Sequence, residues 1–214
     1  DAGVQVRNYV LAKLTALTGA RGGEILNVRT GDIDWEARTL SIVRRADSKQ
    51  DPRRKQPRAK TNQRMLPLTQ ETLTEIRTYI VHVRKHIPNA AAHPYLFVTH
   101  KSGPTQGQPI SLSSLQALFA TIRRAYPYLD ISAHDLRHRW NWRYSETMQH
   151  QQKIGFAEAE QLRNVLAGWN PGSKTGQRYN KAYIQKQAYD AMLTVAQQRE
   201  REIEQLKQEK RKHG

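Results

Sequence analysis

Four short stretches of this 214-residue chain carry side chains whose types and spacing suit work on a phosphate. In SAHDLRHRW, Ser132 and Asp135 have the spacing of a capping box, which starts a helix just before His134. His134 and Arg137 then lie three residues apart, on one face and near the positive end of the helix dipole, where an anion is held. His138 falls on a different face of that turn, as a packed or solvent-facing histidine. In TGARGGEIL, Arg21 stands among glycines at a helix start, and its rigid guanidinium fork can hold two phosphate oxygens. Glu24, one turn on, is spaced to fix that side chain as an i,i+3 ion pair. Lys60, in AKTNQRMLPL, precedes a strand at a hairpin end, from which it swings into a groove or stays in solution. Finally, LAGWNPGSKTGQRYNKAY has a helix stop at Gly168, an indole donor at Trp169 and a flexible segment leading to Tyr179. A second phenol, Tyr183, follows four residues later. Taken singly, each of these residues also has an ordinary structural reading.

The elements that must position them read as helices, a small sheet, then helices. Val6, Val10, Leu11, Leu14 and Leu17 recur at helical spacing from Val4 to Leu17, with Gly19 as the stop. A short helix is expected around Glu24 to Val28. TLSIVR and RMLPL are β-like and form a hairpin, with a basic loop over about 44–64 between them. In that loop Arg44, Arg45, Arg53, Arg54, Lys55 and Arg58 outnumber Asp47 and Asp51, which predicts a solvated segment that tracks a DNA backbone. Thr69 caps a helix carrying Leu73, Ile76, Tyr79, Ile80 and Val83, ended by Pro88. Further helices are predicted over Leu112 to Ala125, His134 to about Gln149 and Phe156 to Leu166. A short one follows near Tyr179, and a long final one begins at Ile184. The fold class is mainly α with a small antiparallel β-sheet. The last stretch is polar, with Ile203 and Leu206 as its apolar residues, and predicts a solvated helix.

The formal charge of +16 calls for a polyanionic partner, and nucleic acid is the leading one. No run of apolar residues is long enough to span a bilayer, and DAGVQVRNYV lacks the sections of a signal peptide, so a cytoplasmic location without membrane contact is expected. With no cysteine, neither disulfides nor thiolate metal sites are available.

Read in order, Gly-x-Arg-x-x-Glu, a β-hairpin Lys, His-x-Leu-Arg-His, Gly-Trp and a Tyr ten residues later resemble the tyrosine recombinase (phage integrase) family. The resemblance covers about Val6 to Tyr189 and implies the catalytic-domain fold of that family. By similarity Arg21, Lys60, His134, Arg137 and Trp169 map onto its active-site positions, and Tyr179 onto its nucleophile. Three departures stand out: glycines follow Arg21, Trp169 replaces the commoner His, and Tyr183 competes with Tyr179. The spacing from Trp169 favours Tyr179.

The resemblance further implies a catalytic domain over 1–183, and a tail over 184–214 suited to contacts between protomers. It also implies a tetramer on double-stranded DNA and the setting of a phage or other mobile element. Family members carry an N-terminal core-binding domain. This chain begins with the first catalytic-domain helix, so a fragment that binds DNA weakly and with strong salt dependence is expected. In the implied mechanism a phenol, whose pKa of about 10 makes it a poor nucleophile, attacks an anionic diester with the help of cations. Arg21 and Arg137 neutralise the non-bridging oxygens, Trp169 donates a hydrogen bond, His134 assists proton movement and Lys60 protonates the departing 5′ oxygen. Neither metal nor ATP is called for. A type IB topoisomerase and a catalytically silent DNA-binding protein of the same fold are the alternatives.

Overall fold

The computed structural model describes residues 2–49, 51–151 and 155–212. Helix α1 (Ala2–Thr18) turns Val10, Leu11 and Leu14 into the core. It ends at Gly19, whose φ of +60° is a left-handed stop. A Cβ there would lie 2.5 Å from the Trp140 ring, so the missing side chain also permits a close crossing with a later helix. Helix α2 (Gly22–Ile25) is a single turn, earlier and shorter than its periodicity predicts.

A three-stranded antiparallel sheet follows, in the order β1 (Ile33–Asp34), β2 (Thr39–Ile42), β3 (Arg64–Pro67). β2 and β3 form the expected hairpin, with Leu40 opposite Leu66 and Ile42 opposite Arg64. Two residues are too few for β1 to show alternation in sequence. Leu40, Ile42 and Leu66 face the core, whereas Met65 is exposed, as the twofold period of a strand demands.

Helix α3 (Gln70–Thr78) starts where the Thr69 hydroxyl accepts the Thr72 N–H at 3.2 Å. It runs on through a wider turn at Tyr79–Val83 and a tight turn at Arg84–His86. Leu73, Ile76 and Tyr79 join the core, as do Leu115 and Phe119 of α4 (Leu112–Ala125), which is capped by Ser111. Helix α5 (Ala133–Gln151) packs along α1, and α6 (Phe156–Ala167) and α5 both pack on α7 (Thr175–Lys212). The architecture is helical with one small sheet, as expected.

Two expectations need correction. The short helix near Tyr179 and the long one from Ile184 are one continuous helix, because no glycine or proline follows Gly176 before its end. Ile184, Tyr189, Met192, Leu193 and Val195 are exposed on it, and the side chains of Ile203 and Leu206 lie outside the described residues. The stretches 43–49 and 51–63 are solvated on one side only. Their Asp51, Arg53, Pro57, Ala59 and Thr61 are buried.

Arg53, expected at the DNA, donates instead to the carbonyls of Leu26 at 2.9 Å and Ile110 at 3.2 Å. It also pairs with Asp51 at 2.7 Å and covers the Tyr95 ring at 4.4 Å. A charge spent this way holds the loop to the body and is not offered to a phosphate. Arg45 is likewise tied to Asp32 and is only half exposed. Arg58 is exposed but paired with Asp47, while Arg44, Arg54 and Lys55 are exposed and form no ion pair among the described residues. Among the described residues no helix is long and apolar enough to cross a membrane.

Candidate active site

The start of α5 supplies two of the expected side chains. Ser132 Oγ accepts the Asp135 N–H at 3.2 Å and donates to the Asp135 carboxylate at 2.5 Å, so the cap forms where the sequence places it. The Ser132 hydrogen bond holds the Asp135 carboxyl below its ordinary value. His134 is then exposed at the surface of the first turn, and Arg137 points inward. Arg137 donates to the carbonyls of Gly19 and, at 3.2 Å, Ala167. These bonds tie the ends of α1 and α6 to α5. Burial, and Arg21 beside it, pull the Arg137 guanidinium down to about 10, and no described carboxylate forms an ion pair with it. A buried cation without a counter-ion favours an anion at its open edge.

Arg21 sits at the N-cap of α2. Its Nη1 is buried without a hydrogen-bond partner, 3.8 Å from Glu24 Oε1. The expected i,i+3 ion pair of Glu24 with Arg21 is thus present, and Glu24 has a second role beside it. The Glu24 carboxylate accepts the backbone N–H of Arg21 at 3.0 Å, but its close ion pair, at 2.7 Å, is with Arg64. Burial works to raise the Glu24 carboxyl, and Arg64 with Thr61 outweighs it, so the group is held below its ordinary value.

Lys60 lies exposed at the end of the packed loop. The next residues are bolted to the end of α6: Asn62 N–H donates to Gly168 O at 2.8 Å, and Asn62 Nδ2 to Asn170 Oδ1 at 2.9 Å. Gly168, at φ +67°, is the left-handed cap of α6. A Cβ there would meet Asn62 O and Thr61 Cβ at 2.9 Å, so only glycine lets hairpin and helix end approach this closely. The approach places Lys60, Arg21, Asn62 and Trp169 around one cleft of about 420 Å³. Arg21 also borders a second cleft of about 400 Å³, with His134 and Arg137 on its rim and Leu115 and Phe119 in its wall.

Trp169 is buried, its Nε1 has no hydrogen-bond partner, and the Arg137 guanidinium lies 5.3 Å over its ring. Its other contact is a parallel stack on Tyr179, with ring centres 6.0 Å apart and planes 8° apart. Tyr179, half-buried in the second turn of α7, also meets His138 at 5.4 Å, and His138 meets His134 at 4.2 Å. His138 is therefore no bystander: the fourfold spacing from His134 already places both on one helix face. Burial, with the nearby charges of His134 and Arg137, holds the His138 imidazole below its ordinary value.

Tyr183 is buried edge-on against Trp142, at 5.1 Å, and burial pushes its phenol up. It faces the packing between α5 and α7, not the clefts. The start of α7 is held by Arg163, a fully buried guanidinium that donates to Gly176 O at 3.2 Å and Ser145 Oγ at 2.7 Å. All six expected residues thus lie in one connected set, joined by Arg21 and by the stack of Arg137, Trp169 and Tyr179. Two buried, unpartnered donors and one uncompensated guanidinium beside a phenol form a cradle for an anion. No group of three or more metal-ligating side chains occurs among the described residues.

A model of the phage integrase family matches residues 2–186 of the chain. Over 96 residues, 45% of the chain, it is 31% identical to y4rF of Sinorhizobium fredii (strain NBRC 101917 / NGR234), which carries the provisional name integrase/recombinase; that alignment spans 19% of y4rF. Among solved structures, XerA recombinase is similar with a TM-score of 0.58 and 18% identity, covering 89% of this chain and 58% of XerA. XerH site-specific recombinase bound to palindromic difH substrate, a post-cleavage complex, is similar with a TM-score of 0.60 and 19% identity, over 89% of this chain and 46% of XerH. The Tn1549 transposon integrase in complex with transposon right end DNA gives 0.54 and 14%, over 79% and 52%. At these identities the structural likeness is one of fold. The chain spans less than two thirds of the length of each of these relatives.

Proposed function

The chain belongs to the phage integrase family, and from that membership we propose that it is a site-specific DNA recombinase working through a 3′-phosphotyrosine on Tyr179. The observation that carries this reading is that two buried donors without partners, Arg21 Nη1 and Trp169 Nε1, belong to residues lining one cleft, and that the Trp169 ring is stacked on the half-buried Tyr179 phenol. The scissile phosphate supplies the acceptors those donors lack. Arg21 and Arg137 neutralise its non-bridging oxygens, and the Trp169 indole adds a hydrogen bond to the pentacoordinate transition state.

Tyr179 Oη bonds to phosphorus, the bond from phosphorus to the 5′ oxygen breaks, and Lys60 gives that oxygen its proton. His134, in ring contact with His138 and through it with Tyr179, assists removal of the phenol proton. The covalent ester conserves the bond energy, so a 5′ hydroxyl of a second strand can reverse the step without ATP. Two arginines and one indole donor do the work at the phosphate oxygens that a metal performs elsewhere. The catalytic domain spans 1–183, the segment 184–214 contacts neighbouring protomers, and the recombining species is a tetramer on two double-stranded sites. Arg44, Arg54 and Lys55, exposed on the packed loop, contact the DNA backbone.

The test is capture of the covalent product. Nicked duplexes drawn from the DNA flanking its gene are mixed with the protein and resolved under denaturing conditions. An adduct with the wild type that Tyr179→Phe abolishes is the expected result. An adduct that persists in Tyr179→Phe refutes the nucleophile. DNA binding with no adduct on any duplex turns the reading to a silent binder of the same fold.

A further inference from the structure

The Lys60 side chain is exposed, and no described hydrogen bond, ion pair or ring contact holds it. Its reach is therefore set by the backbone that follows. That backbone is fastened by Arg64, the ion-pair partner of Glu24. The Arg64 guanidinium is buried, and each of its nitrogens is engaged. Nε donates to Leu166 O at 2.8 Å, Nη1 to Thr61 Oγ at 2.7 Å and Asn62 O at 3.3 Å, and Nη2 to the Glu24 carboxylate at 2.7 Å. Thr61 Oγ closes the loop by donating to the other oxygen of Glu24. One planar group thereby joins three segments: the turn that begins at Arg21, the hairpin arm that carries Lys60, and the end of α6 that leads into Trp169.

The fold by itself does not ask for this residue. Arg64 occupies an inward position of β3, between strand positions filled by Leu40, Ile42 and Leu66, where an apolar side chain is the rule. A buried arginine–carboxylate pair is also a poor stability device, since its desolvation commonly offsets its attraction and replacing both partners with apolar side chains of similar volume is often neutral. What Arg64 supplies is a fixed geometry, because a planar guanidinium shared among four acceptors tolerates one arrangement of the segments around it.

We propose that Arg64 is a positioning residue that sets Lys60 at the leaving oxygen by locking the hairpin arm to Glu24 and to the end of α6. The inference rests on the reading of Lys60 as the general acid. In the step concerned, Tyr179 Oη bonds to phosphorus, the electron pair of the breaking bond goes to the 5′ oxygen, and the proton comes from Lys60 Nζ. Arg64 touches none of these atoms.

The test compares two forms of a nicked duplex that gives the Tyr179 adduct, one with oxygen and one with sulfur at the 5′ bridging position of the scissile bond. A thiolate leaves without a proton, so sulfur removes the need for an acid. Arg64→Met is expected to slow adduct formation on oxygen by on the order of 10²-fold, the scale of a misplaced general acid, and to return close to the wild-type rate on sulfur. Lys60→Ala, measured in parallel, is expected to show the same restoration. Arg64→Lys keeps a charge for Glu24 but not the fork, and it should follow Arg64→Met; it decides the question if thermal denaturation shows that Arg64→Met does not fold. Equal loss on both duplexes in the Arg64 variants, with Lys60→Ala restored, overturns the positioning role, and so does an unchanged rate on oxygen. If sulfur fails to restore Lys60→Ala, the acid reading of Lys60 falls, and the inference built on it falls as well.

Discussion

Gly168→Ala tests the close approach on which the site is built. The new side chain meets two separate penalties. The first is conformational: φ at this position is +67°, and a Cβ in the left-handed region costs about 1–2 kcal/mol. The second is steric, with Asn62 O and Thr61 Cβ 2.9 Å and Arg64 Nη1 2.6 Å from the added carbon. Two of these neighbours belong to the hairpin arm and cannot swing aside, so overpacking adds about 1–3 kcal/mol. Gly172 provides the control, since its φ is +77° and nothing lies within 4 Å of an added Cβ. Gly172→Ala incurs only the first penalty. For a chain of this length each kcal/mol moves the melting temperature by about 2–4 °C. Gly168→Ala should therefore melt about 10 °C below wild type and Gly172→Ala about 4 °C below, in thermal denaturation followed by circular dichroism at one protein concentration. Gly168→Ala should also lose adduct formation out of proportion to its stability, because the hairpin arm and Trp169 separate together. Equal melting shifts in the two variants would refute the claimed packing of the helix end on the hairpin.

Arg53 and Arg54 should part company. Arg53→Ala leaves Asp51 buried and unpaired and is expected to lose about 3–5 kcal/mol of stability in denaturant titration, whereas Arg54→Ala should leave stability unchanged and lower the salt slope of DNA binding by about one. Tyr183→Phe should keep adduct formation, since its ring lies against Trp142 and away from the clefts; loss of the adduct with the fold intact would reopen the choice of nucleophile. Glu24, whose carboxyl is held below its ordinary value, contributes stability that is full above the unfolded-state value of about 4.3 and is lost as pH falls through the lower folded-state value. Acid unfolding of Glu24→Gln should accordingly show a shallower pH dependence below that point than wild type, and an identical profile would contradict the assignment.

Features written in neighbouring residues were legible before any coordinates: the Ser132 and Thr69 caps, the Gly19 and Gly168 stops, and the alternation of β2 and β3 each depend on a few adjacent positions. Arg64 gives no local signal, because its partners lie 40 and 102 residues away, at Glu24 and Leu166. The same holds for Arg53, whose carbonyl acceptors come from Leu26 and Ile110. A row of cations in a sequence reads as solvated until the chain's own acceptors are known. His138 is a different case. Its signal, the fourfold spacing from His134, is present in the sequence and puts both rings on one helix face. The break predicted inside α7 has no residue to make it, since neither glycine nor proline follows Gly176 before the helix ends.

The unbroken α7 has a mechanical meaning. Tyr179 stands near one end of a rod that runs on for 33 residues to Lys212, about 50 Å at about 1.5 Å per residue. The Arg163 clamp on Gly176 and the Asn180–Ser145 contact grip the rod on either side of the phenol, which makes that grip the fulcrum. Deflecting the far tip sideways by about 9 Å turns a stiff rod of this length by about 10°, which swings the phenolic oxygen by about 1 Å, an error that costs a pre-aligned reaction about 10²-fold. Whatever bears on the tip of α7 thus exerts torque on the nucleophile, and a light load at distance is converted into alignment at the phosphate.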